Sequence, residues 1–411
     1  MQERPVAPAQ DKWLSIIGVG EDGVEGLSAA ARQRIEAAGV VFGGSRHLDL
    51  VADLINGEVV AWPRPIKAAV SDIAGRRGTP VAVLVSGDPF LHSMGSIIAD
   101  AIPAGEFEAY PAPSAFSLAA ARLGWAIQDC DTVSLCGNPV EILIPYLQPG
   151  RRLLVLSSDD TTPKSVASLL GVRGFGASVI SVLERLGGSA ERIREQTADT
   201  FDVVGIDRLN MMAIAVAGSA KAQVIPQAPG LDDYLFENDG MLTKREIRAM
   251  TLSSLAPRAG DLLWDIGTGS GAVAIEWLLA HPANRAIAIE HHEDRAALAQ
   301  KNAAALGVPH LQVVIGRAPA ALADLENPQA IFIGGGLSQE GVFEAAWDRL
   351  QSGGRLVANS VTMESDAVLT KAVGETGGAL TRASIERLDQ IGRMHGYRPA
   401  MTVTQLRAIK P

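Results

Sequence analysis

A repeated order of segments constrains the fold of this chain more than any other feature of its sequence. A short apolar or β-branched run comes first, a glycine turn follows it, and an alanine-rich stretch with helical spacing follows the turn. Leu14–Val19 and Leu262–Ile266 begin two such units, one in each half of the chain. The alternation predicts an α/β fold with mainly parallel sheets.

The apolar runs also predict where the strands lie. In the first half they are Leu14–Val19, Val40–Phe42, Val81–Ser86, Thr132–Leu135, Leu153–Ser157, Ser178–Val182 and Met211–Val216. In the second half they are Leu262–Ile266, Ala286–Glu290, Gln312–Ile315, Ala330–Ile333 and Arg355–Ala358, with a terminal pair at Ala379–Ile385 and Ala400–Leu406. Helices are predicted to follow Gly271, Asp294, Ala318, Gln339 and Met363.

Size and charge narrow the class of protein. A chain of 411 residues is too long for one compact core, so we expect domains at 12–220 and 231–411, with the Pro- and Gly-containing segment 221–230 as linker. The net charge of −10 argues against nucleic acid as partner and favours a small molecule. No apolar run has bilayer-spanning length, no secretory signal is visible, and there are two cysteines. We therefore expect a protein of the reducing cytoplasm without membrane contact.

The turn Gly267–Gly271 is the strongest candidate for a ligand site. Its glycines let backbone pass close to a ligand, and the helix that follows offers free N–H groups. Glu290 ends the next predicted strand, where a carboxylate can accept both hydroxyls of a ribose. The spacing D-x-G-x-G-x-G differs from the dinucleotide pattern, and Asp265 suits a cation better than a pyrophosphate. A tight packing turn is the alternative.

Four further segments narrow this interpretation: ENDGMLTKREIR (Glu237–Arg248), GRAPAAL (Gly316–Leu322), IFIGGG (Ile331–Gly336) and SGGRLVANSVTMES (Ser352–Ser365). With the turn, they resemble the seven-stranded S-adenosylmethionine (SAM) methyltransferases, and among these the CbiT family of cobalamin biosynthesis. The resemblance implies SAM contacts from Thr243, Gly267, Thr268, Gly269, Ser270, Gly271, Glu290 and Ala318. Thr243 also fits a T-x-x-E helix capping box, and the two roles are compatible.

The glycine turn of the first half, Gly18–Gly23, matches G-x-G-x-x-G letter for letter, yet its context contradicts dinucleotide binding. Helical spacing starts only near Ser28, which is too late for a helix N-terminus to reach a phosphate. Glu21 and Asp22 would repel one, and the next predicted strand ends without an acidic residue for a ribose.

A different family fits LSIIGVGEDGVEGLSAAA (Leu14–Ala31), VLVSGDPFLHSMG (Val83–Gly95), YPAPSAFSLAAARLGW (Tyr110–Trp125) and ERLGGSAERI (Glu184–Ile193). These segments resemble the tetrapyrrole methylases, SAM enzymes with two α/β lobes and the cofactor in the cleft between them. The resemblance implies lobes at roughly 12–115 and 116–220. It implies SAM contacts from Ser86, Gly87, Asp88, Leu91, Ser114 and Ala115, with a plain Gly-Asp-Pro turn as the alternative. Cys136 stands where the CbiE branch is expected to carry histidine, so no role is assigned to it.

A CbiE-like half ahead of a CbiT-like half is the arrangement of the CobL family. It implies a two-lobed tetrapyrrole methylase (class III) fold followed by a seven-stranded Rossmann-like (class I) SAM methyltransferase domain. It implies one SAM site per half, methylation of a precorrin at C5 by the first half, and methylation at C15 with loss of the C12 acetate by the second. The reaction converts precorrin-6B to precorrin-8X in cobalamin biosynthesis.

Methyl transfer needs mainly placement of the reactants, so we expect no metal and assign no catalytic acid, base or nucleophile. A homo-oligomer formed through the C-terminal half is also expected. Two alternatives stay open at this point. One half could bind tetrapyrrole without catalysing a reaction, or the protein could be a nicotinamide-dependent oxidoreductase.

A polycarboxylate macrocycle requires local cations on an acidic protein. The candidates for substrate binding are Lys244, Arg245, Arg248 and Arg393, with Arg317 and His395 beside them and Arg46, His47, Arg64 and Lys67 in the first half. Gly334, Gly335 and Gly336 are expected to leave open space for a flat ring. The alternative for each cation is a solvated surface position.

Overall fold

Residues 12–411, described by a computed structural model, group into two units. The first contains the residues up to Val140 together with Gln148–Gln223, and the second contains Glu141–Leu147 together with Val224–Pro411. The change after Gln223 falls inside the predicted linker, while the assignment of Glu141–Leu147 to the second unit was not predicted. Within residues 12–411, no helix combines the length and apolarity needed to cross a bilayer.

The first sheet consists of five parallel strands in the order β3-β2-β4-β1-β5. They are β1 (Leu14–Val19), β2 (Val40–Gly43), β3 (Glu58–Ala61), β4 (Val81–Ser86) and β5 (Phe107–Tyr110), with helices α1 (Ala29–Glu36), α2 (Ser45–Leu50), α3 (Ala69–Ala74), α4 (Met94–Ala101) and α5 (Ala115–Leu123). β1 is buried along its whole length, as a strand covered on both faces must be. The edge strands β3 and β5 escaped prediction because they are short and less buried than the central strands.

The second sheet of this unit contradicts the prediction of mainly parallel pairing. Its order is β6 (Cys130–Ser134), β7 (Arg152–Leu156), β10 (Asn210–Ala215), β8 (Val179–Glu184) and β9 (Arg192–Thr197), with helix α6 (Thr162–Val172) between β7 and β8. β10 is antiparallel to both neighbours, and β9 is antiparallel to β8. The connection between β8 and β9 is too short for the crossover that a parallel pair requires.

The second unit contains a seven-stranded sheet in the order β13-β12-β11-β14-β15-β19-β16 and a separate hairpin, β17–β18. Its strands are β11 (Leu262–Ile266), β12 (Arg285–Glu290), β13 (Gln312–Ile315), β14 (Ala330–Ile333), β15 (Arg355–Ser360), β16 (Ala379–Ala383), β17 (Glu386–Ile391), β18 (Met394–Pro399) and β19 (Val403–Ile409). Its helices are α7 (Arg245–Leu255), α8 (Ala272–Ala280), α9 (Glu293–Ala305), α10 (Val342–Arg349) and α11 (Met363–Thr376). β19 is antiparallel to both of its neighbours, and the other pairs in this sheet are parallel. The predicted seven-stranded class is confirmed.

Two local predictions for this unit are wrong. The helix expected after Ala318 is one 3₁₀ turn, Ala320–Leu322. Thr243 does not cap α7, because the helix begins at Arg245 with Lys244 as its N-cap residue and no side chain caps it. The T-x-x-E spacing therefore falls one residue out of register with the observed helix start.

Helix α7 is anchored by a buried ion pair. Arg248 is fully buried, and its guanidinium donates to the carboxylates of Glu276 and Asp233 and to the carbonyls of Leu231 and Thr243. Four of its five N–H donors are used inside the unit. This placement corrects the prediction that Arg248 binds substrate, because the guanidinium has no exposed face.

We expect Arg248→Ala to destabilise the second unit by about 3–5 kcal/mol, because it leaves the Glu276 carboxylate buried without its partner. Urea unfolding followed by tryptophan fluorescence measures the change. Arg245→Ala on the same helix is the matched control, since its ion pair with Asp232 is exposed and should contribute little. Equal unfolding midpoints for the two variants would contradict the structural role of Arg248.

Candidate active sites

The larger cavity, about 620 Å³, lies at the carboxyl edge of the seven-stranded sheet. From β11 the chain builds β12 and β13 on one side, and it later returns to add β14 on the other. Loops leave in opposite directions from such a switch point and open a crevice there. The turn after β11 and the glycines after β14 both line this crevice.

Close backbone contact explains the glycines at this edge. Gly267 has a φ of +71°, and a Cβ on it would lie 2.7 Å from the Cα of Gly335. The N–H groups of Gly334 and Gly335 donate to the carbonyl of Ile266, which joins the two loops. The phenyl ring of Phe332 occupies the space that a Cβ on Gly334 would need. Gly334–Gly336 thus form an uncharged floor of the cavity. Close packing against Gly267 and Phe332 is a reason for glycine here, in addition to the open space predicted for a flat ring.

Two buried carboxylates stand beside the turn. Asp265 Oδ2 accepts from the Thr268 hydroxyl at 2.7 Å and from the Ala274 N–H at 3.0 Å, while its Oδ1 is buried without a partner. Glu290 Oε2 accepts from the Gly269 N–H, and Oε1 accepts from the first two N–H groups after β12. Burial, opposed by these hydrogen bonds, raises the pKa of Asp265 to about 6, and the Glu290 charge adds to the rise. Such a pair favours a cationic ligand over a phosphate.

The cavity brings together most of the residues predicted for the second half. Thr243, Gly267, Thr268, Gly269, Ser270, Glu290 and Ala318 line it, as do Lys244, Gly334, Gly335 and Gly336. Gly271 does not: it is the N-cap residue of α8, and a Cβ on it would press against Ala299. Arg245 pairs with Asp232 outside the cavity, and Arg393 lies in the exposed β17–β18 turn.

The cations of the cavity wall divide into two classes. Arg295 is paired with Asp239, and Arg387 is paired with Glu246. Lys244 and Arg317 also line the cavity, and neither forms an ion pair with any residue in 12–411. These two are therefore the cations available to a ligand carboxylate. Arg387, Arg295, His291 and Asn359 were missed, although Asn359 stands inside the segment SGGRLVANSVTMES.

A second cavity, about 270 Å³, lies in the first unit and is lined by both of its sheets. Ser86, Gly87, Asp88, Leu91, Ser114 and Ala115 all line it, so the structure brings the six predicted residues together. The Gly87 carbonyl leaves no room for a Cβ on Gly18, which explains a glycine of the false dinucleotide pattern. A 3₁₀ turn, Gly23–Gly26, follows the pattern, and the first α-helix begins only at Ala29, with Ser28 as its cap.

Charged side chains that the sequence did not connect also meet at this cavity. Glu21 binds Arg46 through one oxygen and Arg185 through the other, and Arg185 also binds Asp207 at 2.6 Å. His47 lies beneath Arg46 and Ser86, with its Nε2 2.9 Å from the Ser86 hydroxyl. Burial, followed by the charge of Arg46, lowers the pKa of His47 to about 4.

The other cations predicted for the first half fall elsewhere. Arg64 is exposed and outside the cavity lining, and the side chain of Lys67 lies outside the described part of the structure.

Comparison with known proteins matches each half of the chain to a family of its own. A model of the tetrapyrrole (corrin/porphyrin) methylases matches residues 14–202, and a model of the precorrin methyltransferase domain matches residues 234–410. A precorrin-6Y C(5,15)-methyltransferase [decarboxylating] of Sinorhizobium sp is 53% identical over 393 residues, covering 96% of this chain and 95% of the relative. The chain belongs to the precorrin-6Y C(5,15)-methyltransferase family.

Two further relatives differ in how much of the chain they match. A precorrin-6Y C(5,15)-methyltransferase [decarboxylating] of Mycobacterium tuberculosis is 39% identical over 395 residues, covering 95% of this chain and 98% of the relative. A probable cobalt-precorrin-6B C(15)-methyltransferase (decarboxylating) of Pyrobaculum calidifontis is 38% identical over 154 residues, covering 36% of this chain and 78% of the relative. The second match is shorter than either half of the chain.

SAM is the methyl donor of this precorrin methyltransferase family, and the residues of the larger cavity fit it. The Glu290 carboxylate lines the cavity beside a turn whose glycines carry no side chain, and the unpartnered Oδ1 of Asp265 is buried behind that turn. A sulfonium cation and a ribose are the groups that such a set can hold. Glu290 Oε2 accepts only one hydrogen bond in the structure and retains capacity for a hydroxyl.

Glu290, His291 and His292 place one donor atom each within 4.8 Å of one another, the one such cluster in the described residues. Three backbone N–H groups already occupy the Glu290 carboxylate. These hydrogen bonds stabilise the loop after β12, and the loop conformation accounts for the short distances among the three side chains.

We expect Asp265→Asn to stabilise the ligand-free protein more strongly as pH rises. The folded pKa of about 6 lies above the ordinary 3.8, so burial of the charged form costs stability as pH rises through this window. The raised pKa corresponds to a loss of roughly 3 kcal/mol in the free energy of unfolding, and this loss is complete above pH 6. Urea unfolding at pH 4 and pH 7.5 measures it, and SAM affinity should fall in the same variant. An equal change in stability at both pH values would contradict the assignment.

Proposed function

We propose that each half of the chain binds one SAM and methylates the same precorrin, the first half at C5 and the second at C15. The second half also releases the C12 acetate as carbon dioxide, so that precorrin-6B becomes precorrin-8X. The observation that carries this proposal is the presence of two separate cavities, each lined by the glycine turn of its own half. We place the reaction in the cytoplasm, where the free thiols Cys130 and Cys136 stay reduced.

Two observations support assigning the decarboxylation to the second half. The relative that matches only 154 residues is named for both C15 methylation and decarboxylation, which favours one half of this chain for both reactions. The second unit also has the larger cavity, with the uncharged Gly334–Gly336 floor. A carboxylate that must leave is best held away from cations that would stabilise it.

Bound SAM supplies a methyl group already activated on a sulfonium sulfur. The residues of the chain have only to place the macrocycle carbon in line with it, and placement supplies most of the rate enhancement. In the larger cavity Asp265 and Glu290 provide negative potential for the cation, and the apolar side chains of Ile247, Val361 and Met401 exclude water. Lys244 and Arg317 can hold the carboxylates that remain on the ring.

Variants that block one cavity test the proposal in the full chain. Gly269→Arg introduces a side chain into the turn of the larger cavity, and Ala115→Trp fills the smaller one. We expect calorimetry to find two SAM per chain in the wild type and one in each variant. With precorrin-6B, mass spectrometry should show one added methyl without loss of carbon dioxide for Gly269→Arg. Ala115→Trp should give one added methyl with that loss.

Circular dichroism controls for folding of both variants. A single SAM site in the wild type would refute the two-site model, and carbon dioxide loss that disappears only in Ala115→Trp would reverse the assignment. If one variant leaves the product unchanged, its half is a binding module. Binding of NAD(P)H by the wild type would support the oxidoreductase alternative.

We also propose that the protein assembles as a homo-oligomer through the β17–β18 hairpin. Leu388, Ile391, Met394 and Tyr397 on this hairpin are each more than half exposed. Leu388 pairs with Tyr397 and Ile391 pairs with Met394, so both faces of the hairpin carry apolar contacts for a second copy.

We expect Leu388→Asp to shift the protein toward the monomer, because a charge would have to be buried in the interface. Light scattering after size-exclusion chromatography measures the molar mass. Val172→Asp, at an exposed valine of the first unit, is the control and should leave the mass unchanged. A wild-type protein that elutes as a monomer would rule out the assembly.

A further inference from the structure

An amide side chain on the wall of the larger cavity is fixed by a network of neutral groups. Asn359 Nδ2 donates to Thr251 Oγ1 at 2.9 Å, and Asn359 Oδ1 accepts from Gln405 Nε2 at 2.9 Å. Gln405 is the direct cross-strand partner of Asn359 in the β15–β19 ladder. Ser254 donates to Gln405 Oε1, and Thr251 donates to the Ile247 carbonyl. Thr251 and Gln405 are buried, so the network fixes the orientation of the Asn359 amide, with Nδ2 toward Thr251 and Oδ1 toward Gln405.

Counting hydrogen bonds shows what remains for a ligand. An asparagine amide has two N–H donors and an oxygen with two lone pairs. The network uses one N–H and one lone pair of Asn359. The other N–H and the other lone pair are unused, and Asn359 is half-buried in the cavity wall.

The position of Asn359 relates it to the uncharged floor. Ala358 of β15 is in register with Ile333 of β14, so Asn359 of β15 lies alongside Gly334, the first residue after β14. None of the side chains in the network carries a charge. The cavity thus presents a neutral, oriented hydrogen-bond donor beside a floor without side chains.

We propose that Asn359 is a substrate-contacting residue that orients the acetate carboxylate lost as carbon dioxide; this rests on the proposed function of the second half. A neutral N–H can orient a carboxylate without the Coulomb attraction that a charged donor would add. Weak stabilisation matters because the negative charge must leave the carboxylate in the transition state, and tight binding of the ground state would raise the barrier.

The reaction step balances without a redox partner. The bond between the acetate methylene carbon and the carboxylate carbon breaks, and its electron pair passes into the conjugated macrocycle as an exocyclic double bond. Carbon dioxide leaves, and a proton from solvent then adds to the methylene carbon, which becomes the methyl group.

Two substitutions in the full chain test the proposal. Asn359→Asp keeps the size of the side chain and places a negative charge against the carboxylate, whereas Asn359→Ala removes the donor. The measured quantity is the carbon dioxide released per C5 methyl added, because the first half is untouched in these variants and provides an internal reference. Asn327→Asp, at an exposed position of the second unit, is the control.

We expect carbon dioxide release per C5 methyl to fall roughly 10- to 100-fold in Asn359→Asp and about 10-fold in Asn359→Ala, as for loss of a hydrogen bond to a charged group. Both variants should still bind two SAM, and the control should match the wild type. An unchanged ratio in both Asn359 variants would overturn the proposal. A fall to one bound SAM would also overturn it, because the residue would then support the cofactor site. Absence of carbon dioxide loss in the wild type would instead refute the proposed function.

Discussion

The hydrogen bond between the Gly269 N–H and the Glu290 carboxylate is the contact on which the larger site depends. It joins the turn after β11 to the end of β12, and the other carboxylate oxygen holds the loop that follows β12. Asp265 ties the same turn to α8 through Thr268 and Ala274. The turn is thus built on two buried negative charges, and a cationic ligand relieves an electrostatic cost already present in the fold.

The two candidate sites are built by different means. The second unit uses buried carboxylates and a floor without side chains, whereas the first places the Gly87 turn directly on Gly18. In the first unit the charges at the cavity neutralise one another, since Glu21 joins Arg46 and Arg185. The proposed function assigns the loss of a carboxylate to the larger cavity alone.

In an acidic protein that binds a polycarboxylate ring, only cationic side chains without an acidic partner are available to the ring. Most arginines near the larger cavity already have acidic partners, as Arg295 and Arg387 show. Lys244 and Arg317 line the cavity without an acidic partner in residues 12–411, and the neutral Asn359 lies in the same wall. The net charge of −10 therefore says little about the site, because pairing decides which charges a ligand meets.

The sequence by itself determined the central strands and the glycine turns. β1, β11 and β14 begin and end where their apolar runs predict, because a strand buried on both faces needs such a run. The tertiary structure decided the rest. The strands β5 and β9 and the β17–β18 hairpin lack such runs. Asn359 acquires its orientation from Gln405, a distant residue that only sheet pairing brings beside it. The local sequence indicates which strands are buried, because burial requires apolar residues. A polar contact such as that of Asn359 depends on which distant strand pairs with its own.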